Sequence, residues 1–280
     1  MQYGIPSNRT LLLERKNATP RPPGGPESPD SPALHPETQI PSAQRPGDVS
    51  DIAREKLMPW SLGTQGPKVV VSDLNGDGLD DFFTPDTAFL QQAGGTFFPG
   101  NASILSHGYT SKNTSCVRMA DFDGDGSPDM FIGTRWVTGA YGLAAKSYLL
   151  KNNGSGQFVE MPIHSQKGNI GIGGMVTDAC WADLENDDRP DLVVCGEWMP
   201  VTIYRNTAAG FEKTEIPHSS GLWNCVRAAD FDGDGDIDLV AGNLGLNSIL
   251  RASPSEPLGL WVKDFDGNGS TEPVLTYYRQ

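Results

Sequence analysis

"DFDGDGSPDMFIG", residues 121–133, places acids at positions one, three, five and nine of a nine-residue run and then turns apolar. The run returns as "DLNGDGLDD" (73–81), "DLENDDRPD" (183–191), "DFDGDGDID" (230–238) and "DFDGNGSTE" (264–272). Successive copies start between 34 and 62 residues apart. Such a period, centred on roughly 40–50 residues, suits a four-stranded sheet unit and is too long for a hexapeptide coil.

Short β-prone runs flank every copy. "PKVVVS", "CVRMA", "DACWA", "CVRAA" and "LGLWVK" precede the acids; "FFTP", "MFIGT", "LVVCG", "LVAGN" and "PVLTYY" follow them. They are short, branched or aromatic, and bounded by Gly, Pro and Asn, as buried strands are. "TAFLQQAGGTFFPG", "KSYLLKNNGSGQFVEM" and "VTIYRNTAAGFEKT" each read as strand, turn, strand. The sequence therefore predicts an all-β chain of repeated four-stranded sheets, the acidic loop joining strands one and two.

Positions one, three, five and nine carry Asp, Asn or Glu in all five copies. They are Asp73, Asn75, Asp77, Asp81; Asp121, Asp123, Asp125, Asp129; Asp183, Glu185, Asp187, Asp191; Asp230, Asp232, Asp234, Asp238; and Asp264, Asp266, Asn268, Glu272. Like charges held this close would repel strongly without a cation, although a single Asp-Gly-rich turn in an exposed hairpin needs no metal. Calcium accepts six to eight hard oxygens in a flexible arrangement, and magnesium demands a stricter octahedron. A backbone carbonyl at position seven, from Leu79, Ser127, Arg189, Asp236 or Ser270, completes each expected set, for up to five ions. Glycine at position six (Gly78, Gly126, Gly235, Gly269) permits a positive φ. In the third copy Asp188 stands there and Asn186 replaces the earlier glycine, so that loop is expected to be the weaker.

The loop imitates the start of an EF-hand. That motif needs Glu at position 12 and flanking helices. Here position 12 is Thr84, Ile132, Val194, Ala241 or Leu275, and both flanks are strand-like, which excludes it.

The chain has 280 residues and a formal net charge of −14. This balance argues against nucleic acid and anionic membrane surfaces. No apolar run approaches the length of a transmembrane helix, so no membrane insertion is expected. Three consecutive leucines near the start, Leu11 to Leu13, are too few for a signal-peptide core. Residues 1–16 carry no clear structural signal, and 17–50 are Pro-rich and read as disordered linker. The folded part is expected over 60–280. Cys116, Cys180, Cys195 and Cys225 lack metal-ligand spacing and are expected to be buried free thiols.

"VRMADFDGDGSPDMFIG" and "VRAADFDGDGDIDLVAG" resemble the FG-GAP and VCBS repeat family, which includes the N-terminal region of integrin α subunits. "KSYLLKNNGSGQF" and "GEWMPVTIYRN" look most like secreted VCBS-repeat proteins related to cartilage acidic protein. The resemblance covers about residues 60–280. It implies a β-propeller of four-stranded blades, seven in the family, with structural calcium and an extracellular or cell-surface location. The Ala-Pro that follows the glycine in integrins is Thr134-Arg135, Glu197-Trp198 and Asn243-Leu244 here, so integrin-type ligand recognition does not carry over. Five loops, the last followed by eight residues, suggest an incomplete propeller, truncated at the C-terminus.

In such a propeller, "RWVTGAYG", "EWMP" and "NLGLNS", with the segment "GLWN", lie opposite the acidic loops. They offer Arg135, Trp136, Tyr141, Glu197, Trp198, Trp223 and Asn243 as a recognition surface. The alternative is that the aromatics pack between blades. His35, His107, His164 and His218 are scattered and accompany no nucleophile motif, so no enzyme is expected. The expected function is an adhesion or protein-interaction module with an extracellular protein or glycan ligand. The alternatives are a carbohydrate-binding propeller and a polysaccharide-degrading enzyme.

Overall fold

The computed structural model describes residues 68–84, 87–100, 113–162, 164–165, 168–169, 171–245, 248 and 251–278. The expected segments 1–16 and 17–50, and the start of the folded part near Trp60, lie outside the described residues. Within them the protein is all-β, with twenty strands and no α-helix.

The first sheet orders β1 (Val70–Ser72), β2 (Asp81–Thr84), β3 (Thr87–Gln92) and β4 (Thr96–Pro99) consecutively. The second joins β5 (Thr114–Ala120), β6 (Asp129–Thr134), β9 (Tyr148–Asn152) and β10 (Phe158–Met161). Between its second and third strands lies a hairpin the sequence reading treated as loop, β7 (Trp136–Val137) and β8 (Ala140–Ala144). A further short hairpin, β11 (His164–Ser165) with β12 (Gly168–Asn169), precedes the third sheet. That sheet pairs β13 (Met175–Ala182), β14 (Asp191–Met199), β15 (Thr202–Thr207) and β16 (Gly210–Glu215). The far end of β14 also pairs with β17 (Gly221–Ala229), which runs beside β18 (Asp238–Asn243). β19 (Gly259–Lys263) and β20 (Glu272–Thr276) pair with each other.

Each acidic loop joins the first and second strands of an antiparallel pair in one fixed register. Position nine faces the residue just before position one: Ser72↔Asp81, Ala120↔Asp129, Ala182↔Asp191, Ala229↔Asp238 and Lys263↔Glu272. A one-residue slip would turn every strand-two side chain to the wrong face.

The core lies between neighbouring sheets. Phe131 and Leu149 of the second pack with Val176, Leu192, Val194 and Tyr204 of the third. Phe83 of the first joins Met130, Ile132 and Leu150 of the second. The glycine ending the apolar run of strand two is required where a cysteine of strand one fills the space. A Cβ on Gly133 would lie 2.6 Å from Cys116 Sγ and 2.9 Å from Val176 Cγ1, and one on Gly242 would lie 2.8 Å from Cys225 Sγ.

First strands of successive sheets are neighbours, and a buried acid ties three of them together. Asp178 on β13 accepts from Arg118 on β5 and, at 2.6 Å, from Arg227 Nη1 on β17. It also accepts the Val226 N–H at 3.2 Å. Two arginines against one carboxylate offset its burial, which alone would be costly.

Among the described residues the β17–β18 and β19–β20 pairs have no third strand on the open side of β18 or β20. Val240 and Val274 are correspondingly 54% and 42% exposed, whereas their counterparts Phe83, Phe131 and Val193 are fully buried. The four cysteines are free, and Cys116 and Cys195 are buried as expected. Cys180 is half-buried and Cys225 is exposed, which corrects the expectation of four buried thiols.

Candidate functional site

The acidic runs are loops I (73–81), II (121–129), III (183–191), IV (230–238) and V (264–272). In each, the position-one carboxylate folds the chain around itself by accepting backbone N–H groups. Asp121 Oδ1 takes those of Gly124 at 2.8 Å and Asp125 at 3.1 Å, and its Oδ2 takes that of Gly126 at 2.7 Å. Asp73 and Asp264 repeat this set, and Asp183 and Asp230 repeat part of it. The position-five side chain then accepts the position-seven N–H in all five loops.

This path needs left-handed backbone at position four as well as at the anticipated position six. Gly124 and Gly126 have φ of 76° and 87°. Loop III adopts the same path without glycine, Asn186 at 56° and Asp188 at 62°. Asn and Asp are the side chains that tolerate this region best, so the third copy keeps the loop at some cost in strain.

Position nine is buried in loops I to III and ties the loop to the sheet. Asp129 Oδ2 accepts the Phe122 N–H at 3.2 Å, and Oδ1 accepts the Asn152 N–H from strand three at 2.8 Å. Asp81 and Asp191 do the same with Leu74 and Gln91, and with Leu184 and Asn206. Burial pushes the Asp129 carboxyl up to about 6, against the pull of those two N–H groups. Burial likewise raises Asp81 and Asp191. A carboxylate oxygen that accepts one N–H keeps a lone pair for a second partner.

Three loops bring acid oxygens together within 4.8 Å: Asp121, Asp123 and Asp129; Asp230, Asp232 and Asp234; and Asp264, Asp266 and Glu272. Loops I and III form no such group. Asn75 of loop I turns its amide to Asp77 at 3.1 Å, and Glu185 of loop III pairs with Arg205. Hard oxygens on alternate positions of a tight loop suit a calcium-sized cation. Asp125 sits below the usual carboxylate range, held there by the Ser127 N–H and by Lys151.

A second repeated element lies on strand three, at Asn152 of β9 and Asn206 of β15. Asn152 is fully buried, and its Nδ2 donates to Pro128 O of its own loop at 3.1 Å and to Leu74 O of loop I at 2.9 Å. Asn206 Nδ2 likewise reaches Pro190 O and Phe122 O of loop II. Each asparagine therefore bolts its loop to the preceding one. The sequence signal was the Asn after "LLK" and "IYR", each followed by a Gly-containing turn.

The expected recognition surface is not assembled as one open face. Arg135, Trp136, Tyr141 and Glu197 are 5%, 5%, 3% and 1% exposed. The reason is a paired network. Arg135 Nη2 bonds Glu197 Oε1 at 2.6 Å, its guanidinium lies 5.2 Å from the Trp136 ring centroid, and Trp198 Nε1 donates to Tyr141 Oη at 3.1 Å. Burial raises the Glu197 carboxyl, with Arg135 acting against it. Trp198 sits at φ 59° in a β14 irregularity, a strained conformation for a bulky residue. Trp198 and Trp223 are half-buried and Asn243 is exposed. His218 lies in a turn after β16, whereas His35 and His107 lie outside the described residues.

The model of the FG-GAP-like repeat matches residues 73–132 and 183–241, which contain loops I to IV. Those two stretches carry FG-GAP-like repeats. Loop V, outside the matched FG-GAP-like stretches, keeps the same left-handed positions at Gly267 and Gly269 and the same register. Among solved structures, a lectin from Agrocybe aegerita, described for its specific recognition of non-reducing terminal N-acetylglucosamine, aligns at 19% identity with a TM-score of 0.43. The alignment covers 75% of this chain and 61% of that lectin.

Proposed function

We propose that the chain is an extracellular calcium-binding β-propeller that serves as a protein-interaction or adhesion module. Its FG-GAP-like repeats would form the blades, and calcium would be structural. The observation carrying this reading is the convergence of acid oxygens in loops II, IV and V on a backbone path that all five loops share. In loop II, Asp121, Asp123, Asp125 and Asp129 would hold the ion, and the equivalent residues would do so in the other loops. The ion would neutralise carboxylates that otherwise repel, and so fasten strand one to strand two. An ion that binds only the folded chain stabilises it by mass action. The extracellular assignment rests on the repeat family. The reading is of a binding module and not of an enzyme, since the buried Arg135–Glu197 pair spends its charges on each other.

Thermal unfolding followed by circular dichroism tests this, with millimolar calcium in one arm and EDTA in the other. Calcium should raise the melting temperature by several degrees, and magnesium at equal concentration should do less. Identical melting temperatures in all three conditions would sink the calcium reading.

A further inference from the structure

The five loops differ in one respect that their shared motif hides, namely whether a side-chain cation already occupies them. In loop II, Lys151 Nζ pairs with Asp123 and lies 3.1 Å from Asp125 Oδ2, bridging positions three and five. In loop III, Arg205 Nη1 pairs with Glu185, again position three. Both cations come from strand three, at the same register, one residue before the asparagine that bolts the loop to its neighbour.

The other loops are different. In the first sheet the Gln91 N–H meets Asp81 as the Asn152 N–H meets Asp129, so Leu90 occupies the place of Lys151. Loops IV and V have no third strand beside them among the described residues, and none of their acids is ion-paired there.

An ammonium held between two carboxylates does part of what a metal ion does: it cancels their repulsion and keeps them together. It also competes for the same oxygens. Lys151 and Asp123 are about one-third exposed, so their attraction is screened less than that of a fully hydrated pair.

We infer that Lys151 and Arg205 are internal counter-ions that compete with calcium for loops II and III, so that each of these loops fills at a higher free calcium than it would without its cation. This inference rests on the calcium reading. Loops II and III are thereby held folded at low calcium.

The test uses the full chain, stripped with chelator and titrated with calcium chloride by equilibrium dialysis, as wild type, Lys151→Gln, Arg205→Gln and Lys151→Arg. Lys151→Gln should move one binding step to roughly tenfold lower free calcium, as expected for loss of a competing charge at contact distance. Arg205→Gln should shift a different step, and Lys151→Arg should leave the profile in place. The calcium-free melting temperature should fall in both Gln variants, while the calcium-saturated value should hold near wild type. Arg205→Gln keeps the inference testable if loop II cannot fold without its lysine. Calcium binding with unshifted steps in both Gln variants would overturn the counter-ion role and leave the calcium reading standing. An absence of bound calcium in all four chains would overturn both.

Discussion

Replacing Asn152 with alanine removes one amide that joins two acidic loops, and its cost can be worked from the contacts. The side chain is fully buried, and it donates to Leu74 O at 2.9 Å and to Pro128 O at 3.1 Å. Its Oδ1 accepts the Gly154 N–H at 3.1 Å. A typical hydrogen bond contributes about 1 kcal/mol net, and a carbonyl left buried without a donor costs about 1–3 kcal/mol. Leu74 itself is 1% exposed, so water does not readily replace the amide there. The sum is about 3 kcal/mol. For a folded unit of this size that lowers the melting temperature by about 6–12 °C. The assay is thermal unfolding by circular dichroism in EDTA, which removes any metal contribution. Asn153→Ala is the control. Asn153 is exposed and its contacts stay within one turn, so the loss there should remain under about 1 kcal/mol. If Asn152→Ala melts within a degree of Asn153→Ala, the asparagine is not the bolt between loops I and II.

Gly133→Ala places a Cβ 2.6 Å from Cys116 Sγ and 2.9 Å from Val176 Cγ1, an overpacking that should cost about 1–3 kcal/mol in urea unfolding. Gly126→Ala, which has open space around it but φ of 87°, should instead be strained through its backbone alone. The pH dependence follows from Asp129. Burial raises its carboxyl to about 6 from a reference of 3.8, so the folded state holds the proton more tightly than the unfolded state. The stability this supplies is full below pH 4 and is lost as pH rises through 6. In EDTA, wild type should therefore lose more stability than Asp129→Asn between pH 4 and 6.5, and parallel melting curves would contradict this. Because the ion needs the ionised carboxylate, the melting shift produced by calcium should grow over the same window.

The strand pairs and loops were legible in the sequence because chemistry and backbone geometry coincide in one short motif. Acids at alternate positions, glycine at position six and an apolar run beyond position nine specify a turn and a return strand without reference to the rest of the chain. The third copy was legible too, since Asp188 could be recognised as a residue able to take glycine's conformation. Long-range pairings escaped the reading. Arg135 and Glu197 lie 62 residues apart and meet only because β6 and β14 belong to neighbouring sheets, a pairing that no local pattern announces. Asp178 looked like one more strand residue, and only the adjacency of β5, β13 and β17 makes it a junction for Arg118 and Arg227. The buried role of position nine was half visible. Its acid was expected as an ion ligand, but one of the two N–H groups it accepts in loops I to III comes from strand three, which lies 10, 23 and 15 residues further along the chain.

Calcium binding itself is the most direct test of the account, measured by isothermal titration of the chelator-stripped chain. The account predicts saturable binding of at least two and at most five ions per chain, lost stepwise as Asp230→Ala and Asp264→Ala remove the position-one ligands of loops IV and V. Absence of binding heat at millimolar calcium, or a stoichiometry unchanged by both substitutions, would contradict it.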